Sequence, residues 1–243
     1  MKDSKRVAVC VSGQLRFVEE GFRCLNANLL SKHNCDVFIH AWVDSEKDRD
    51  EKRIAIYNPK LSIIEPQKHE FTEGYHASVG TIPGLFIQHS MWYSIMRAND
   101  LKREYENIND FQYDLVVRLR FDAALLLPLE LIIFPNTVMG IDAIANPYRM
   151  CDWLFYGENE IMNGVCGVYN HLESYIPTLR TRGGNRIFCG ETILWERMTD
   201  LGLESHKLFP GQRGDSLALI RDKESSHPEW RHVRDIPAFG GNE

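Results

Sequence analysis

Short apolar runs bounded by polar residues alternate along this chain with longer stretches in which apolar positions return every three or four residues. That is the pattern of strands alternating with helices. Residues 6–11, with Val-Ala-Val-Cys-Val, predict a first strand that runs straight into Ser12-Gly-Gln-Leu-Arg16. Residues 19–31 follow as a helix with Phe22, Leu25 and Leu29 on one face. Residues 36–43, with Val-Phe-Ile-His-Ala-Trp, predict a second strand. A strand, a helix and a strand in this order most simply form a right-handed parallel crossover. Residues 44–53 mix charges of both signs and predict a solvated loop or helix start, and residues 61–64 a third strand that Pro66 stops.

A long helix is expected over residues 85–106, where Ile87, Met91, Ile95, Ala98, Leu101 and Tyr105 make an apolar stripe. It feeds a strand at Leu115, Val116 and Val117, completing another crossover. The second half is more broken. Strands are expected at residues 138–141, 153–156 and 216–220, helices at 158–166, 171–179 and 191–201, and the tail from Ser225 has no period. The expectation is an α/β fold with a mostly parallel central sheet flanked by helices. No repeat and no low-complexity linker divides the chain, so one domain over residues 1–243 is the simplest organisation.

Composition narrows the function. The 243 residues, 44% hydrophobic and 26% charged, suit one globular α/β domain. A formal charge of −6 argues against a general nucleic-acid binder. Charge is uneven, however: residues 180–234 hold ten Lys or Arg against eight Asp or Glu, which allows a local site for an anionic ligand. Six cysteines are scattered without a C-x-x-C pair or zinc spacing, several inside apolar runs as buried thiols are. With no signal-peptide core, no membrane-length apolar run and no N-x-Ser/Thr sequon, the expectation is a reduced, cytoplasmic protein without a membrane span.

Two segments carry the chemistry. In Tyr113-Asp-Leu-Val-Val-Arg-Leu-Arg-Phe-Asp122, a buried strand ends in Arg118, Arg120 and Asp122. Ionised groups are costly to desolvate unless they pair or bind something, and in open α/β sheets ligands sit at strand carboxyl ends. The group suits a metal or a phosphorylated ligand; the plainer alternative is an Arg–Asp pair that only closes the strand. Ser12-Gly-Gln-Leu-Arg16 lies between a strand and a helix, where backbone N–H groups receive phosphate or a nucleotide. Gly13 permits close backbone approach, and Arg16 is placed for a diphosphate or base contact. A tight turn with an exposed Arg is the alternative. The segment is neither G-x-G-x-x-G nor a Walker A loop.

These two blocks, with Asp36-Val-Phe-Ile-His-Ala-Trp42 between them, resemble a small family of glycosyltransferase-like proteins of the GT-A fold, known from large viruses, phages and bacterial surface-polysaccharide loci. The similarity extends to about Arg221. It implies a nucleoside-diphosphate sugar donor, a glycan or related acceptor, and residues 1–122 as a nucleotide-binding half with 123–243 on the acceptor side. Ser12, Gly13, Gln14, Arg16, Arg118 and Arg120 would hold the nucleotide. The family fold usually carries a divalent metal, Mn²⁺ or Mg²⁺, on an Asp-x-Asp motif; the matching position here is Arg120-Phe-Asp122. Either Asp122 ligates the metal with the ligand phosphates completing the shell, or Arg120 neutralises the diphosphate and no metal is needed.

Gly190-Glu-Thr-Ile-Leu-Trp-Glu-Arg197 is similar to the Glu-Asp-x-x-Leu-x-x-Arg block of many GT-A transferases, with Thr192 where the second acid is usual. The resemblance makes Glu191 the general base for an acceptor hydroxyl, at a helix start that favours negative charge. Glu191 as a simple complement to the helix dipole is the alternative. Asp152-Trp-Leu-Phe-Tyr-Gly157 resembles a segment lining the sugar pocket, so Asp152 is the second candidate base or a binder of sugar hydroxyls. Arg180, Arg182 and Arg186, around Gly183-Gly184, form a basic loop able to close over a diphosphate or to complement a helix end. His227 and His232 are late candidates for a metal. The expected function is metal-assisted sugar transfer. The rival is a GT-A-shaped module that binds a nucleotide or glycan without turnover. A nucleotidyltransferase would want a Gly-rich, Lys-containing first loop, which Ser12 to Arg16 do not supply.

Overall fold

The structure, a computed structural model, describes residues 5–45, 50–68, 85–142, 150–175, 189–208, 216–222 and 230–237. Its strands are β1 (Arg6–Gln14), β2 (Asn34–Val43), β3 (Leu61–Pro66), β4 (Leu115–Leu119), β5 (Ala123–Leu125), β6 (Thr137–Asp142), β7 (Met150–Glu158), β8 (Glu204–Lys207), β9 (Leu217–Arg221) and β10 (Trp230–His232). The helices are α1 (Val18–Leu25), α2 (Leu85–Asn109), α3 (Asn159–Cys166) and α4 (Gly190–Asp200), and α1 continues as a π-helical turn over Asn26–Leu30.

A seven-stranded sheet runs in the order β3-β2-β1-β4-β7-β6-β8. β1 pairs in parallel with both β2 and β4, and β2 with β3, so both expected crossovers are parallel. β7 alone runs against its neighbours β4 and β6. A smaller sheet, β10-β9-β5, hangs from the end of β4. Strand alternation sorts the core between the two faces of the large sheet. Val7, Val9, Val11, Leu115, Val117 and Leu119 pack with Val18, Leu25 and Leu29 of the first helical segment. Ala8, Cys10 and Val116 face Trp92, Ile95, Ala98 and Leu101 of α2, with α3 and α4 alongside.

A buried charge network fixes α2 against the sheet. Lys102 pairs with Glu106 at 2.9 Å and donates to Asn159 and Asn163, while Glu106 Oε1 accepts from the Tyr113 N–H at 2.9 Å. A buried ion pair is tolerable when its remaining hydrogen-bonding capacity is used in this way, and here it anchors the residue that leads into β4.

Several expectations need correcting. β1 extends to Gln14 because β2 keeps pairing beside it (Ser12 with His40, Gly13 with Ala41, Gln14 with Trp42), so these three residues end the strand and are not a turn. β4 extends to Leu119, which puts Arg118 inside the strand. Ile87, assigned to the buried stripe of α2, is 64% exposed, and Trp92 is buried in its place. Strands β5, β8 and β10 were not anticipated; the last belongs to the tail that showed no period. The helix expected at 171–179 is described only to Tyr175. All six cysteines are free thiols, with Cys10, Cys24, Cys151 and Cys166 buried. Among the described residues no helix is long and apolar enough to cross a membrane.

Candidate functional site

The chain leaves β1 towards β2 and β3, then returns to β4 on the other side of β1. Connections therefore diverge from the carboxyl ends of β1 and β4, and such a switch in strand order opens a crevice. A cleft of about 330 Å³ lies there, lined by Ser12, Gly13, Gln14 and Arg16 from β1 and its turn, and by Arg118, Arg120, Phe121 and Asp122 from β4. Trp42, Gln67 and the first turns of α2 (Phe86, Ile87, Ser90, Met91) close it. A second hollow of about 220 Å³ shares Gln14, Arg16 and Trp42 and adds Asp44 and Arg53. Together they are of a size that takes a small ligand.

Alternation along the strands aims the polar groups. Cys10 and Val116 face α2, so Ser12 and Arg118, two positions further on, face the same way. Ser12 Oγ is buried without a hydrogen-bond partner. Arg118 is 1% exposed, and its Nε and Nη1 are also buried without partners. Its guanidinium stands 5.5 Å from the Phe155 ring centroid. Burial pushes the Arg118 pKa down to about 10, against the opposing pull of Asp152. The Arg118 guanidinium thus keeps two buried N–H donors free for a ligand oxygen, although Asp152 lies near enough to act on its charge.

The β1 end is shaped by its backbone. Gly13 has φ +126°, a conformation other residues rarely adopt, and a Cβ there would point into open space. The Arg16 N–H returns to the Gln14 carbonyl at 2.8 Å, and Phe17 caps α1 in the left-handed region at φ 52°. Gln14 Nε2 donates to Gln67 Oε1 at 3.3 Å, and Gln67 Nε2 to Ser90 Oγ at 2.7 Å. Trp42 Nε1 donates to the Ser90 carbonyl at 3.0 Å and its ring stacks on Tyr93. This wall is thus tied together before any ligand arrives.

Asp122 is held differently from the sequence-based expectation. Arg120 donates to both of its oxygens, Nε to Oδ1 at 2.8 Å and Nη2 to Oδ2 at 2.9 Å. Arg221 Nη1 donates to Oδ2 at 2.9 Å from the end of β9, where the Ile220 N–H also bonds the Asp122 carbonyl. Burial would raise the Asp122 carboxyl, but Arg120 and Arg221 outweigh it and hold it below the usual carboxylate range. A divalent cation wants free carboxylate oxygens and is disfavoured by guanidiniums that already occupy them. This donor set does not fit one, and among the described residues no cluster of three or more His, Cys, Asp or Glu could hold a metal ion.

Because β7 is reversed, its beginning lies at the carboxyl end of β4: Leu154 pairs with Leu119, and Asp152 falls just beyond. Asp152 is buried, and its pKa is raised by that burial and by the charge of Glu191, with Arg118 and Arg120 opposing. Glu191, partly exposed, starts α4. Gly190 permits the contact, since a Cβ there would overlap Asp152 Oδ2 and crowd Met91 Cε. The two acids proposed as rivals are therefore neighbours, beside the cleft wall formed by Met91 though not in its lining. Thr192 is buried and its hydroxyl meets Cys189 Sγ at 3.1 Å; Arg197 donates to the Gly164 carbonyl at 2.9 Å and ties α4 to α3.

The structure thus gathers Ser12, Gly13, Gln14, Arg16, Arg118, Arg120 and Asp122 around one cleft and sets Asp152 and Glu191 at its side. Arg180, Arg182, Arg186 and His227 lie outside the described residues. His232 sits beside Arg221 in β10, its Nδ1 accepting from the Arg234 N–H at 3.1 Å. Sequence reasoning missed Arg221 and Gln67. The charge that closes the Leu217–Ile220 run was the available signal for Arg221; Gln67 had none. No protein-family model matches the chain and no curated protein is significantly similar to it, so its function has to be read from the cleft itself.

Proposed function

We propose that the cleft binds the diphosphate of a nucleoside-diphosphate sugar, and that the protein is a GT-A glycosyltransferase passing that sugar to a hydroxyl of a glycan or related acceptor. The observation that carries this reading is the buried Arg118 guanidinium, whose Nε and Nη1 have no hydrogen-bond partner, together with the unpartnered Ser12 hydroxyl, at a switch in strand order. A buried unpaired cation costs several kcal/mol unless a ligand supplies its counter-charge. The mostly parallel sheet and the adjoining acid pair are compatible with the resemblance described above.

In the proposed transfer, the bond between the anomeric carbon and the diphosphate oxygen breaks as the acceptor oxygen bonds to that carbon. Charge grows on the departing diphosphate, where Arg118 and Arg120 stabilise it. The acceptor proton passes to a carboxylate. Burial and the neighbouring charge of Glu191 make the Asp152 carboxyl harder to ionise, and an acid perturbed in this way suits a role different from that of its neighbour. Glu191, the more accessible, is the base, and Asp152 orients sugar or acceptor.

The test is a thermal-shift panel of nucleoside diphosphates and their sugars, followed by turnover assays. A cognate donor at a hundredfold excess over Kd stabilises the fold by roughly 2.7 kcal/mol. Glu191→Gln should keep donor binding and cut turnover by about 10²-fold or more. A panel without any stabilising nucleotide refutes the proposal. The occupied carboxylate of Asp122 is the observation that favours binding without turnover; that reading holds if donors bind but no acceptor is ever glycosylated.

A further inference from the structure

Asp122 occupies the position at which the resembling enzymes would hold a metal, yet the groups that surround it are cations. Three guanidinium hydrogen bonds fall on its carboxylate, Arg120 bidentate and Arg221 from the second sheet. The side chain is buried, so water takes little part in balancing these charges. Arg120 is 30% exposed on the cleft side and lines it. With Nε and Nη2 held by Asp122, the Nη1 end of Arg120 is turned away from the carboxylate. Arg16, Arg118 and Arg120 against Asp122 leave the cleft lining with a positive surplus.

We infer that Asp122 is a positioning residue, clamping Arg120 and Arg221 in a fixed geometry, and that guanidiniums alone neutralise the bound diphosphate without a divalent cation. A planar fork fixed on a carboxylate loses little freedom when it meets phosphate oxygens, which favours tight binding. A cation placed at Asp122 would have to displace at least one charged hydrogen bond and sit against both guanidiniums. This inference rests on the anionic site proposed above.

The experiment uses the full chain and inorganic diphosphate, which removes the identity of the nucleoside from the question. Affinity is measured by calorimetry in EDTA and in Mn²⁺ buffer. The wild type should bind in EDTA, with Mn²⁺ changing the affinity by less than about threefold. Asp122→Asn should weaken binding at least about tenfold in EDTA already, because Arg120 loses its anchor. Arg221→Gln, which leaves the Arg120 fork in place, should weaken it less and confer no Mn²⁺ dependence. A metal-ligand role gives the opposite pattern: binding only with Mn²⁺, and variants of Asp122 that differ from wild type only when Mn²⁺ is present. Either result overturns the inference while leaving the anionic site standing. Absence of diphosphate binding in both buffers would instead remove the proposed function. Should Asp122→Asn fail to fold, the wild-type and Arg221→Gln comparisons still decide.

Discussion

Replacing Arg118 with Met separates stability from binding. Met fills a similar volume with apolar atoms, so the face shared with Phe155 and Cys10 remains packed while the charge disappears. Burial lowers the Arg118 pKa from the usual guanidinium value to about 10, the direction expected of a site that holds the charge poorly. At about 1.4 kcal/mol per pH unit the lowering is about 3 kcal/mol. Part of the relief is lost because Asp152 is deprived of a neighbouring cation, so the variant should gain about 1–2 kcal/mol. For a chain of this size that is a rise in Tm of about 2–8 °C. The penalty is complete wherever Arg118 is charged in both folded and unfolded chains. The gain should therefore be constant through neutral pH and fall only as pH rises above about 10. Binding should move the other way. Loss of a charged hydrogen bond to phosphate is worth about 1.5–3 kcal/mol, or about 10- to 150-fold in Kd. Differential scanning calorimetry and diphosphate titration on the same preparation give both numbers. A variant that melts earlier and binds diphosphate as well as wild type would show that Arg118 is a structural group.

Asp152→Asn should raise Tm at pH 7–8. Because the folded pKa of Asp152 is raised, its ionisation opposes folding above the ordinary carboxylate value, so the gain should vanish as pH falls to about 4; melts across that range check the sign. Gly190→Ala should cost about 1–3 kcal/mol through overlap with the Asp152 carboxylate, and should lower turnover more than donor affinity, read from denaturant melts and kinetics. Arg16→Ala, on an exposed side chain, should leave stability within about 0.5 kcal/mol while weakening the donor complex about tenfold, measured by calorimetry.

The parts of the fold legible in the sequence are those whose burial leaves an uninterrupted apolar mark. β1, β2 and β4 are covered on both faces and read as Val-, Ile- and Leu-rich runs, and their parallel order follows from the helices between them. β5, β10 and the polar edge strand β8 are too short for a period to show. The reversal of β7 was also invisible, because alternation records which side chains are covered and not which way a strand runs. That reversal is what brings Asp152 beside Glu191. Arg118 and Asp122 stood out because charge at a strand end needs a reason. Their different partners did not, since Arg221 reaches Asp122 through pairing across almost a hundred residues of chain.

The free thiols offer a chemical clock on the sheet that holds the cleft. Cys10 sits fully buried in β1, two residues before Ser12, and burial raises its pKa far above the usual thiol value. Cys166, at the end of α3, is pushed up to about 12 for the same reason. Neither can present a thiolate to an alkylating reagent while the sheet is closed, so each modification records an opening event. A ligand that binds only the closed sheet must slow that clock by a factor of one plus its concentration over its Kd. Where openings reclose faster than the reagent reacts, the labelling rate of Cys10 would then report occupancy of the cleft for any small molecule, coloured or colourless, substrate or not.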